Sequence, residues 1–127
     1  MSTYIKEPTK EELTNKGFTN RIKISVNQTK KSLLAYGFTN HDKSSLYFMK
    51  MIDRNISFNL NVSIDTFEIT SIDVLNEEGL QPYDYQSEIL SGNHSGKARN
   101  TYNKVNNILS TLQKDHIITG FEKGMYI

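Results

Sequence analysis

The chain contains no cysteine, so neither a disulfide framework nor a thiolate metal site can be built from it. Long apolar runs are missing too. No segment approaches the ~20 residues that a membrane span requires. The opening Met1-Ser-Thr-Tyr-Ile-Lys-Glu-Pro8 lacks the apolar stretch of a signal peptide. The expectation is a cytoplasmic protein without membrane contact. Arginine is scarce: of 15 basic residues only Arg21, Arg54 and Arg99 carry the planar fork that base-edge and phosphate readers favour. With a net charge of +1 there is no global field to gather nucleic acid.

Several chemistries fall with the missing motifs. The histidines, His41, His94 and His116, form no His-x-x-x-His pair and no His-Glu-x-x-His. A zinc site would have to be assembled from distant segments. There is no Gly-x-Ser-x-Gly elbow to present a nucleophile. Asp73, Asp84 and Glu88 would meet only if the turn at Gly79 folded them together. Gly92-Asn-His-Ser-Gly96-Lys97-Ala98 approximates a phosphate loop, but one spacer residue is missing and Ala98 stands where a magnesium-binding hydroxyl belongs. What survives is a weak anion site at a helix start, formed by His94, Gly96, Lys97 and Arg99, against the plainer reading of a solvated linker. The sequence therefore points to no catalytic residues, no metal and no cofactor.

What is present is a sheet. In Ile56–Ile64 the even positions Ile56, Phe58, Leu60, Val62 and Ile64 alternate with Ser57, Asn59, Asn61 and Ser63. Strand side chains alternate between faces, so this is a strand with one face on a core and one in water. Leu46–Ile52 also reads as a strand, apolar on both faces, and Asp53-Arg54-Asn55 reads as the turn between them. After Asp65-Thr66 a third strand runs from Phe67 to Leu75. Phe67 and Ile69 are odd positions while Ile72 and Val74 are even, so a bulge near Thr70-Ser71 is needed to put them on one face. The result is a three-stranded antiparallel meander over about 45–75, which requires helices over its apolar face.

The flanking segments supply helices and one more strand. Lys97–Lys114 places Ala98, Tyr102, Val105, Ile108, Leu109 and Leu112 on one stripe at helical spacing. Residues 82–90 read as a short helix with Pro82 in its first turn and Tyr85, Ile89 and Leu90 on one face. Arg21–Val26 alternates, with Ile22, Ile24 and Val26 on one face, and reads as a strand; a helix running into Leu33 is the alternative. Thr9-Lys-Glu-Glu12 matches a capping box and begins a short helix ending at Gly17, after an arm of residues 1–8. Thr9-Lys10, Leu13 and Gly17-Phe-Thr-Asn20 recur twenty residues later as Thr29-Lys30, Leu33 and Gly37-Phe-Thr-Asn40. Each copy describes a capped helix, a glycine stop, a Phe anchor and a polar lead into a strand. At 127 residues the whole is expected to be a single α+β domain.

Two stretches suggest contact with something else. Gln81-Pro-Tyr-Asp-Tyr-Gln86 carries two tyrosines, which give large contact area at low entropic cost. Ile117–Ile127 is too apolar for a loose end, and is expected to dock on the core or on a partner. A surface of Tyr83, Tyr85, Phe121, Met125 and Tyr126 follows, against the plainer reading in which Tyr85 packs on the core, Tyr83 covers the sheet edge and Asp84 is solvated in the first helical turn. The same hexapeptide and the closing Gly120-Phe-Glu-Lys-Gly-Met-Tyr-Ile127 resemble small uncharacterised proteins of phages and prophages of Gram-positive bacteria. That resemblance implies a cytosolic accessory protein and no activity.

The leading expectation is thus a non-enzymatic interaction module whose partner is another protein or a second copy of the chain, as a homodimer. A nucleic-acid-binding protein using Lys97 and Arg99 is the first alternative. A small enzyme without a recognisable motif is the second.

Overall fold

A computed structural model of the protein describes residues 22–40, 43–92 and 96–122. The predicted arm, the first capped helix and the first copy of the echo lie outside these residues. Among the described residues the fold is α+β. A five-stranded antiparallel sheet runs in the order β2 (Thr39–Asn40), β3 (Ser45–Asp53), β4 (Ile56–Ser63), β5 (Ile69–Asn76) and β6 (Gln81–Pro82). A separate two-stranded ladder joins β1 (Lys23–Ile24) to β7 (Ile118–Thr119). Three helices, α1 (Lys30–Tyr36), α2 (Tyr85–Leu90) and α3 (Gly96–Lys114), complete the described fold.

The meander forms as the alternation requires. Ile56, Phe58, Leu60 and Val62 are buried, and the expected bulge is Thr70: Asn61 pairs with Ser71 and Val62 with Ile69, which leaves Thr70 over. That one extra residue brings Ile69, Ile72 and Val74 onto the apolar face together. The third strand begins two residues later than the sequence suggests, because Phe67 sits at φ 58° and closes a turn through its N–H to the Ser63 carbonyl. Between β3 and β4 the turn is Arg54-Asn55, with the Arg54 N–H donating to the Asp53 carboxylate at 2.8 Å.

Helices cover the even-numbered face of the meander. In α3 all six predicted stripe residues are buried, together with Thr101 and Asn106, and Lys104 Nζ reaches across to the Ile52 carbonyl at 2.8 Å. The end of α3 is a Schellman turn: Ile117 N–H donates to Leu112 O and His116 N–H to Gln113 O, with His116 at φ 64°. Helix α1 reproduces the repeated motif in its second copy. Thr29 and Ser32 form a reciprocal capping box, Gly37 ends the helix at φ 137°, and Phe38 is buried. Phe38 packs on Phe48 with ring centroids 5.3 Å apart, and Tyr36 flanks both.

Two expectations are corrected. Pro82 is in the edge strand β6, where its missing N–H is tolerated, and α2 starts only at Tyr85 because Asp84 caps it, accepting from the Ser87 N–H at 3.1 Å. Of the predicted strand 21–26, Lys23–Ile24 forms β1 and pairs with β7, and Ser25 and Val26 lie outside it. The chain turns at once, with Gln28 N–H donating to Ser25 O, so Val26 is 96% exposed while Ile22 and Ile24 are buried. Among the described residues no helix is long and apolar enough to cross a membrane.

Candidate interaction surface

The residues predicted to form a surface are dispersed by the fold. Tyr85 is 1% exposed. Its burial, followed by the neighbouring Tyr102 and Asp84, pushes its phenol far above the ordinary tyrosine range. It is core, because the Asp84 cap starts α2 at Tyr85 and α2 packs against α3. Tyr83 is half-buried, 6.1 Å from the Tyr85 ring, with Lys97 Nζ 4.8 Å above its own. Burial first, then Glu88, raises its pKa to about 12. Phe121 is 6% exposed, and Gln113 holds its backbone from both sides: Nε2 donates to Phe121 O at 2.9 Å and Oε1 accepts from Phe121 N at 2.8 Å. The tail through Phe121 is therefore core, because the turn after α3 sends it back as β7 beside β1. Met125 and Tyr126 lie outside the described residues.

The proposed anion site is also divided. Gly96 opens α3 and is exposed. Lys97 sits over Tyr83, while the Arg99 guanidinium lies 5.8 Å from the ring of buried Tyr102. Two different rings hold the two cations, the geometry of cation–π contact. His94 and His41 are outside the described residues. His116 contributes backbone, its carbonyl accepting from Gln28 Nε2 at 3.0 Å. Asp84 is a helix cap, Glu88 lies beside Tyr83, and Asp73 is on the odd-numbered face of β5.

That odd-numbered face is what the fold leaves uncovered by its described helices. Its rows are Tyr47–Asn61–Ser71, Met49–Asn59–Asp73 and Met51–Ser57–Leu75. The floor is small and polar. Asn59 Nδ2 donates to Ser57 Oγ at 2.9 Å, Ser57 Oγ donates to Glu77 Oε2 at 2.5 Å, and Asn61 Nδ2 donates to Ser71 Oγ at 2.9 Å. These bonds hold the short side chains flat, so Ser57 is buried although it faces outward. Met49 and Met51 rise beside this floor, each 45% exposed, and half-buried Leu75 stands across from Met51. Across these three rows Asp73 is the single charged side chain. Adjacent exposed methionines with little charge match the centre of protein interfaces, where charge is depleted and Met enriched. The sequence signal for this surface is the two-faced apolar pattern of Leu46–Ile52.

A second feature has no counterpart in any sequence motif. A cavity of about 510 Å³ opens between Ile22–Val26 with Gln28 on one side and Thr66–Ile69 on the other. Lys23 and Glu68, both exposed, lie on opposite walls. Phe67, in its left-handed conformation, is part of the lining.

Comparison with known proteins adds the fold and nothing chemical. No protein-family model matches the chain, and no curated protein matches it. Among solved structures, the crystal structure of a DUF1831 family protein from Lactobacillus plantarum is similar, with a TM-score of 0.58 at 13% identity over 77% of this chain and 84% of that one. At that identity the likeness concerns the fold alone.

Proposed function

We propose that this chain is a protein-interaction module that docks a partner on the odd-numbered face of its sheet. The observation that carries this reading is the pair Met49 and Met51, each 45% exposed on adjacent outward positions of β3. Fully burying an exposed methionine side chain gains on the order of 1.5–3 kcal/mol, so covering the part of Met49 and Met51 still exposed gains roughly half of that for each. The floor side chains Ser57, Asn59 and Asn61 are neutral and already held in place, Ser57 by the Glu77 carboxylate, which lowers the cost of ordering them against a partner. The reading moves the interface away from Tyr83, Tyr85 and Phe121.

A photo-crosslinking side chain at Met49 tests it, with the same group at exposed Asn103 on α3 as control. Cells expressing the Met49 form are expected to yield one discrete adduct that the Asn103 form does not. A second substitution, Met51→Glu, is expected to abolish that adduct while leaving thermal unfolding unchanged. Equal labelling from both positions, or an adduct that survives Met51→Glu, would sink the proposal.

A further inference from the structure

The cavity between the two sheets is bounded by strand edges that pair with no further strand among the described residues. On one wall, Ile24 pairs with Ile118, and the next pair outward is bonded, Ser25 N–H donating to Ile117 O at 2.9 Å. Hydrogen-bonded and non-bonded pairs alternate along antiparallel strands. The N–H and C=O of Ile24 therefore point away from β7. On the other wall, Ile69 pairs with Val62, and again the neighbouring pair is the bonded one, Ser63 N–H donating to Glu68 O at 2.9 Å. The peptide groups of Ile69 therefore point away from β4. Both residues line the cavity; among the described residues each pairs with one strand only, and neither makes a backbone bond in a turn, loop or cap. Ile24 is itself buried, and buried backbone groups rarely stay unpaired.

We propose that the cleft between β1 and the start of β5 receives an extended peptide segment of a partner protein as an added strand, joining the β1–β7 ladder to the main sheet. Strand addition draws its affinity from main-chain hydrogen bonds to an open edge, and among the described residues an edge is unpaired on each side. The volume of about 510 Å³ falls in the usual range of ligand sites, about 300–1,000 Å³. Charge sets the preference: Lys23 on one wall calls for an acidic side chain and Glu68 on the other for a basic one. The cleft is separate from the methionine face, so either assignment can fail alone.

The test is backbone amide exchange and chemical shift on the full-length ¹⁵N-labelled chain. In the free protein the Ile24 and Ile69 amides are expected to exchange at least about tenfold faster than the Ser25 amide, which has its partner in Ile117. The probe is a blocked heptapeptide of alternating valine and threonine with one glutamate and one lysine, with a version N-methylated along its backbone as control. The unmethylated peptide is expected to slow exchange at Ile24 and Ile69 and shift both resonances, and the methylated one to do neither. The double variant K23E/E68K is expected to prefer a peptide with the two charges exchanged. Slow exchange at both amides in the free protein at every concentration would overturn the proposal in favour of the chain's own residues 1–21 as occupant. Protection that grows with protein concentration would assign the cleft to a second copy. Fast exchange that ignores millimolar peptide would leave it an open cavity without a strand ligand.

Discussion

The side-chain amide of Gln113 pairs with the peptide group of Phe121 as a neighbouring strand would, donating through Nε2 at 2.9 Å and accepting through Oε1 at 2.8 Å. One residue of α3 thus closes the chain just past β7, where no further strand pairing is present among the described residues. Gln113→Ala leaves both backbone groups half-enclosed without partners and is expected to cost about 1–3 kcal/mol. Gln113→Glu retains the acceptor and loses the donor, and should fall between wild type and Gln113→Ala. Urea unfolding followed by far-UV circular dichroism gives the order; equal stability of all three would show that the pairing contributes nothing.

Phe121 separates a core tail from an interface tail. Its ring belongs to the buried cluster with Ile117 and Ile118. Phe121→Ala is expected to destabilise the isolated protein by about 3 kcal/mol, the cost of emptying a buried aromatic site. An interface residue would leave the isolated chain's midpoint where it was.

Two non-glycine residues hold left-handed backbone at small benefit. His116 occupies the αL position of the Schellman turn at φ 64°, and Leu80 sits at φ 51° with its side chain 71% exposed. The left-handed conformation costs an L-residue roughly 1–2 kcal/mol. Glycine at 116 and asparagine at 80 adopt it more cheaply. His116→Gly and Leu80→Asn are each expected to raise stability by about 0.5–1 kcal/mol, read as a higher thermal midpoint. A fall at either site would mean that the side chain is needed there.

Alkaline pH should unfold the protein through its tyrosines. Tyr36 is pushed up to about 12 by burial and by its 2.7 Å hydrogen bond to Asp115, and Tyr83 is pushed up to about 12 by burial and Glu88. Tyr85 lies higher still, through burial. The folded state therefore holds these protons more tightly than the unfolded chain, whose tyrosines ionise near 10. The contribution is fully present below pH 10 and is lost as pH rises toward 12. Absorbance at 295 nm is expected to show these phenols ionising together with the loss of secondary structure. Ionisation of all seven tyrosines near pH 10 with the fold intact would contradict the burial of Tyr85.

Local chemistry made much of this fold legible. Period-two alternation marked Ile56–Val62, and the phase slip between Ile69 and Ile72 placed an extra residue near Thr70-Ser71, which the register puts at Thr70, because a strand alternates strictly unless one residue is added. Period-3.6 spacing placed all six stripe residues of α3 in the core. The Thr29 cap, Gly37 stop and Phe38 anchor were readable because each acts within one helical turn. Val26 and Pro82 misled for the same local reason: alternation continued past the end of β1, and a proline suited to a helix start served an edge strand as well.

The sequence by itself determined the three meander strands, the long helix and their phases, and the lack of any thiol, since those depend on residue type and on contacts a few positions apart. Only the tertiary structure decided what those elements leave exposed. Tyr85 and Phe121 became core because α2 packs on α3 and β7 returns beside β1. Met49 and Met51 became surface because the helices stack on the other face of their strand. The cleft joins Ile24 to Ile69 across 45 residues. Whether an edge finds a partner depends on where a distant strand comes to rest, and no local pattern of side chains encodes that.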